Sequence, residues 1–185
     1  SIGNTSIDGR PHAEFNAIKN MNKNLKNSTL YVTLEPCSHY GHTPPCTKYI
    51  IKKKIKKVIY SVSDIDQRTR KKSEKILKSQ KIILKKELLI KKISKFYESY
   101  YFNRKNKLPY VTGKIAMSKN NLIYTQKQKK ITNTLSHKLS HLLRYKNDAI
   151  LVSKNTLNND NPLLNCRLNG LEKFSPKKVI LDKNL

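Results

Sequence analysis

His12 and Glu14, two residues apart, are followed by Cys37 and Cys46, with Pro44-Pro45 directly before the second cysteine. The set offers one imidazole, two thiols and a carboxylate left over. Three N/S ligands with an open fourth position make a catalytic zinc site, whereas a structural zinc is normally closed by four protein ligands. Zinc makes water nucleophilic near neutral pH by lowering its pKa towards 7. Glu14 stands close enough to His12 to take that water's proton and pass it to a leaving group. His39 and His42 lie between the two cysteines. A fourth protein ligand would close the site, so they point to substrate contact or to support of the ligands. Each residue alone has a plainer explanation: a loop imidazole, a small buried thiol, an acid in the first turn of a helix. Their conjunction in this order carries the chemistry.

Around these residues the pattern is one of alternating strands and helices. Residues 1–11 are small and polar and deliver the chain to His12. A helix is expected over 13–23, with Phe15, Ile18 and Met21 on one side. Residues 30–34 form an expected buried strand running straight into Glu35-Pro36-Cys37. Pro44-Pro45 favours a helix start, with Ile50, Ile51 and Ile55 as its apolar face. Two helix N-termini would thus bring the three ligands together, and their positive ends favour thiolate. Strands are expected at 58–62 and 82–84 and helices at 73–79 and 88–101. Alternation of this kind predicts a mostly parallel sheet covered on both faces. The polar run 103–108 serves as the expected linker between a first unit, 1–102, and a second, 109–185. In the second unit, strands are expected at 110–117, 149–152 and 179–182, with a helix at 134–144.

The chain has 185 residues, with Lys+Arg 39 against Asp+Glu 12 and a formal charge of +27. Lysine supplies most of the excess, spread from Lys19 to Lys183 beside many Asn and Ile, as an A/T-biased coding sequence imposes on solvated positions. A nucleic-acid surface would show Arg and aromatics interleaved in one stripe, and none is seen, so nucleic acid is disfavoured as a partner. The positive field suits a phosphorylated small substrate better. Three cysteines, two of them in a metal-type motif, argue for a reducing, cytoplasmic setting rather than a disulfide scaffold. No apolar run is long enough for a membrane helix. Cys166 has no partner and is expected as a free core cysteine.

His-x-Glu with a later Pro-Cys and a further Cys is the pattern of zinc nucleoside deaminases, where the Glu carries the proton and hydrolysis releases an amine. In cytidine, deoxycytidylate and tRNA-adenosine deaminases two residues separate the cysteines; here there are eight. With Gly9-Arg10-Pro11-His12-Ala13-Glu14 upstream, the stretch from Thr33 through Glu35-Pro36-Cys37-Ser38-His39-Tyr40-Gly41-His42-Thr43 to Cys46 resembles the bifunctional riboflavin-biosynthesis family. That family joins a pyrimidine deaminase to a 5-amino-6-(5-phosphoribosylamino)uracil reductase. The resemblance implies an α/β fold: a cytidine-deaminase-like α/β/α sandwich followed by an incomplete dihydrofolate-reductase-like α/β domain. It implies Zn2+ on His12, Cys37 and Cys46, with Glu14 as general acid/base. The implied substrate is 2,5-diamino-6-ribosylamino-4(3H)-pyrimidinone 5′-phosphate, with His39, His42, Asp64 and Asp66 as candidate contacts. Asn155 to Arg167 resembles the reductase's cofactor and substrate segment. That match implies NADPH against Thr156 and Asp160, and the ribose-phosphate substrate on Arg144, Leu164 and Arg167. Where the family has Trp-Ile-Thr the chain has Lys130-Ile131-Thr132, and it contains no Trp. The resemblance also implies a homo-oligomer, and an internal fragment of a longer protein, because the opening elements of the deaminase and the glycine-rich half of the reductase are missing.

Three competing readings stand beside this one, the last being a decayed or truncated copy that binds zinc but turns nothing over. Another zinc deaminase of a base or nucleotide is disfavoured by the long Cys-Cys spacing. A basic nucleic-acid module would need its lysines on one face and a steeply salt-dependent affinity.

Overall fold

The computed structural model describes residues 1–21, 23–123 and 131–184. Position 130 of the Lys130-Ile131-Thr132 segment lies outside them. The chain forms two compact units, Ser1–Val111 and Thr112–Leu185.

In the first unit the order is α1 (Ala13–Lys19), β1 (Thr29–Leu34), α2 (Cys46–Lys52), β2 (Lys57–Val62), α3 (Lys72–Ser79), β3 (Ile83–Lys85), α4 (Ile90–Phe96) and α5 (Glu98–Asn106). The three strands form a parallel sheet in the order β1-β2-β3, with Leu30 beside Val58 and Val58 beside Leu84. β2 is buried along nearly its whole length, as befits a central parallel strand covered on both faces, and Val58, Ile59, Tyr60 and Val62 are accordingly apolar. β1 alternates exposed and half-buried positions. Ile18, Ile50, Ile55, Val58, Leu77 and Ile82 make the core, so the apolar sides of α1, α2 and α3 all close on β2. Phe15 adds a ring contact to Tyr49, centroids 4.7 Å apart.

The second unit contains α6 (Thr134–Lys146), β4 (Ala149–Ser153), α7 (Lys154–Asp160) and β5 (Lys177–Leu181), with β4 and β5 parallel. Asn133 caps α6 by accepting from Ser136 N at 2.9 Å, and Ser153 caps α7 by accepting from Thr156 N at 3.2 Å.

Five expectations need correction. The strand expected to be buried at 30–34 is half-exposed, because β1 lies at the edge of the sheet and has a neighbour on one side only. Residues 103–106 are the last turns of α5, closed by Lys107 in the left-handed region at φ 59°. Lys and Arg are good helix formers, and the polar run marks an exposed helix rather than a linker. The expected helix 88–101 is broken at Tyr97, which ends α4 and opens α5 with φ −92°, ψ 8°. The β-rich run 110–117 forms no strand. Propensity of this kind yields a strand only where a neighbouring backbone accepts the ladder, and no described segment does. The helix from Ala13 stops at Lys19 rather than reaching Lys23. α7 was not expected, being short and without an apolar period. Among the described residues no helix is long and apolar enough to cross a membrane.

Candidate active site

His12 is the residue immediately before α1, and Cys46 is the first residue of α2. Cys37 sits just beyond β1, whose strand delivers Glu35-Pro36-Cys37 into the core. The ligand atoms of His12, Cys37 and Cys46 all lie within 4.8 Å of one another. Cys46 Sγ is 3.4 Å from His12 Nδ1, close to the roughly 3.6 Å edge of a tetrahedron with zinc-like bond lengths. Cys46 N donates to Cys37 Sγ at 3.2 Å, and Thr47 N donates to Cys37 O at 3.1 Å. The first turn of α2 therefore fixes the Cys37 sulfur. A hydrogen bond from the Cys46 thiol holds the Cys37 thiol down at about 3. The same contact, with burial, pushes Cys46 well above the usual thiol range. One imidazole and two buried sulfurs around a common point are the donors Zn2+ takes, so the residues fit the metal.

Glu14 lies in the first turn of α1, 8 % exposed. Burial raises its pKa, while the nearby His12 charge and Cys46 act the other way. A carboxyl held towards the protonated side, beside the ligands, is suited to accept and return a proton.

The loop between the cysteines is held from two sides. Ser38 Oγ donates to Arg68 O at 3.1 Å, and His39 Nδ1 lies 3.1 Å from Thr69 Oγ1. The segment 64–73 that supplies these contacts is itself fixed by Glu35, which is 2 % exposed. Glu35 accepts from Ser73 Oγ at 2.5 Å and from Asp64 N at 3.2 Å. Asp64 accepts from Tyr100 Oη at 2.9 Å and from Asp66 N at 3.0 Å. Asp66 is held well below the usual carboxylate range by a forked contact with Arg68. Both carboxylates thus already have partners within the chain. His42 is exposed.

Arg10 stands in the Gly9-Arg10-Pro11-His12-Ala13-Glu14 stretch that carries the resemblance, but the sequence assigned it no role. Its guanidinium crosses from the loop before His12 to the loop between the cysteines. Nη1 donates to Thr43 Oγ1 at 3.1 Å and reaches Cys37 Sγ at 4.0 Å. A side chain at Gly41 would come within 3.1 Å of Nη2, so the glycine makes room for it. Such support of a ligand is commonly worth about 10–100-fold in metal affinity. Arg10→Met should release zinc to a chromogenic chelator about tenfold faster than the parent, with Arg10→Lys intermediate.

In the second unit Arg144, Leu164 and Arg167 converge, joined by His141 and Asn165, which sequence reading did not single out. Arg144 Nη1 donates to Asn165 O at 3.0 Å, and Arg167 Nη1 donates to Asn165 Oδ1 at 2.8 Å. Leu164 is buried with φ 54° and shapes the turn. Thr156 and Asp160 lie one turn apart on α7, with Thr156 Oγ1 3.1 Å from Ser153 Oγ. Cys166 is free and buried, as expected. Its sulfur donates to His141 O at 3.5 Å.

Residues 2–62 match the model of the cytidine and deoxycytidylate deaminase zinc-binding region, and residues 109–185 match that of the RibD C-terminal domain. The chain is 35 % identical over 179 residues to the riboflavin biosynthesis protein RibD of Aquifex aeolicus, covering 96 % of the chain and 50 % of that protein. It is 37 % identical to RibD of Bacillus amyloliquefaciens, again over 96 % of its length and 48 % of the relative's. A crystal structure of a diaminohydroxyphosphoribosylaminopyrimidine deaminase/5-amino-6-(5-phosphoribosylamino)uracil reductase from Thermotoga maritima superposes with a TM-score of 0.86 at 33 % identity, covering 95 % of this chain and 51 % of that one. The chain spans about half the length of the curated relatives it matches. The fold is α/β, a cytidine-deaminase-like unit followed by elements of a RibD C-terminal, dihydrofolate-reductase-like unit.

Proposed function

We propose that this chain, similar to RibD proteins along 96 % of its length, carries the zinc-dependent deaminase site of riboflavin biosynthesis. One observation carries the reading: His12, Cys37 and Cys46 present their ligand atoms within 4.8 Å of one another, with Glu14 buried against them. The substrate is 2,5-diamino-6-ribosylamino-4(3H)-pyrimidinone 5′-phosphate. Water adds to the carbon bearing the exocyclic amine, the C–N bond breaks, and ammonia leaves. Bound to His12, Cys37 and Cys46, Zn2+ supplies the Lewis acidity that makes water nucleophilic at neutral pH. Glu14 takes the proton from the attacking water and delivers it to the departing nitrogen. His39, braced by Thr69, and His42 face the substrate from the loop between the cysteines. Asp64 and Asp66 act by holding the 64–73 segment in place behind His39.

The second unit contributes the substrate side of the reductase. Arg144 and Arg167 grip the ribose phosphate beside Leu164, a role for which paired guanidiniums are well shaped. Thr156 and Asp160, spaced to share one face of α7, are the contacts for NADPH, which when bound supplies hydride for reduction of the ribosyl side chain. Asp160 is exposed and makes no ion pair among the described residues, so it is free for a polar contact. The same reading places the protein in the cytoplasm as a homo-oligomer.

The test is ammonia release by the zinc-loaded chain from the diaminopyrimidine nucleotide, compared with cytidine and deoxycytidylate. Turnover of the first and not of the other two is the expected result. Preference for cytidine or deoxycytidylate would reassign the site to another nucleotide deaminase.

A further inference from the structure

His141 lies on α6, three residues before Arg144, and no property of the helix itself requires an imidazole there. Its Nδ1 accepts from Arg167 N at 3.1 Å and lies 3.5 Å from Arg144 Nη1. An Nδ1 that accepts an amide proton leaves the ring proton on Nε2. Burial, with Arg144 and Arg167 nearby, lowers the His141 pKa, which keeps the ring in this neutral, accepting form. The backbone of the same residue accepts from Cys166 Sγ, while Cys166 N donates to Ser175 Oγ at 3.0 Å. The turn 164–167 is therefore stapled to α6 through one residue.

The result is an arrangement that costs energy unless something offsets it. Arg144 and Arg167 both anchor on Asn165, one on its backbone oxygen and one on its side chain. Two guanidiniums are thus held within reach of each other, and burial, with Arg167 nearby, lowers the Arg144 pKa. Among the described residues no carboxylate forms an ion pair with either. Each guanidinium has five N–H donors, of which the contacts named here use few. Like charges held together with donors to spare, and no acid between them, await an anion.

We propose that His141 and Asn165 are positioning residues of a phosphate site formed by Arg144 and Arg167, with His141 setting the turn that carries Arg167. The inference rests on the phosphate reading of the two arginines given above. It adds that the grip depends on a neutral acceptor on α6, and that the two guanidiniums bind one phosphate as a unit.

The experiment is a titration of the zinc-loaded chain with ribose 5-phosphate, following the Nε–H signals of Arg144 and Arg167 by NMR. In the parent both signals should move along one saturable isotherm. His141→Ala should weaken binding about tenfold, the order of one lost hydrogen bond, with zinc content and the amide spectrum of the first unit unchanged. His141→Gln, whose side-chain oxygen can accept from Arg167 N, should recover most of the affinity. Asn165→Ala removes the Arg167 anchor but keeps the backbone oxygen for Arg144; it should drop the Arg167 signal out of the isotherm while Arg144 still responds. This variant carries the test if His141→Ala does not fold. Parental affinity in His141→Ala, or Asn165→Ala with both signals still moving together, overturns the positioning role and leaves the phosphate reading standing. A parent chain with no saturable shift overturns both.

Discussion

Glu14→Gln should retain one zinc per chain and lose deamination by about 10²–10⁴-fold, the range of a general acid/base. Gln has the shape and nearly the volume of Glu, so the first turn of α1 and the approach of His12 to Cys46 stay as they are. What it cannot do is accept a proton. Glu14 is 8 % exposed, and among the described residues no other carboxylate joins the cluster of the three ligand atoms. Glu35, also buried, spends its oxygens on Ser73 and Asp64 N. Asp64 and Asp66 are committed to Tyr100, the backbone and Arg68. The loss should therefore fall on kcat rather than KM, because the missing step is proton transfer and not recognition. Metal analysis alongside steady-state kinetics checks this. A variant that turns over at the parental rate would remove Glu14 from the chemistry, and one that loses zinc would make it part of the metal's support instead.

The zinc set was legible because it rests on residue types that rarely serve other purposes together. The strands around it were legible because β-branched and apolar runs alternating with helices read as parallel strands, although β1, at the sheet's edge, is half-exposed rather than buried. Contacts that exist only after distant segments meet were not legible. Arg10 matters because Thr43 and Gly41 come back to it, and nothing at positions 8–11 foretells that. His141 sits in an ordinary amphipathic helix, and its role appears only when residues 164–167 return. The break at Tyr97 has a similar origin. Its hydroxyl pairs with Thr33 Oγ1 at 2.8 Å, a contact 64 positions away that no local period encodes. The run 110–117 erred in the other direction, its β-rich composition being realised only where a partner strand exists. His42, a candidate substrate contact by motif, is exposed on its loop, while His39 is the imidazole that Thr69 holds in place.

Cys37→Ser and Cys46→Ser should each reduce zinc from about one per chain to a small fraction of that, and abolish deamination with it. Three protein donors are the minimum of an open catalytic site; with two remaining, no further donor among the described residues joins the cluster. His39 Nδ1 is turned to Thr69, and His42 is exposed. Ser is small enough to keep the packing at both positions, and the backbone bonds from Thr47 N to Cys37 O and along α2 do not depend on the thiol. A folded, zinc-free chain is therefore the expected product of either change. Cys166→Ser is the matched control. That thiol is equally buried, 1 % exposed, but its neighbours are His141 O and Ser175 rather than metal donors. It should keep zinc and deaminase activity in full. Loss of zinc in Cys166→Ser as well would mean that the metal reports the general state of the fold. Retention in all three would mean that the cluster at His12 does not hold it.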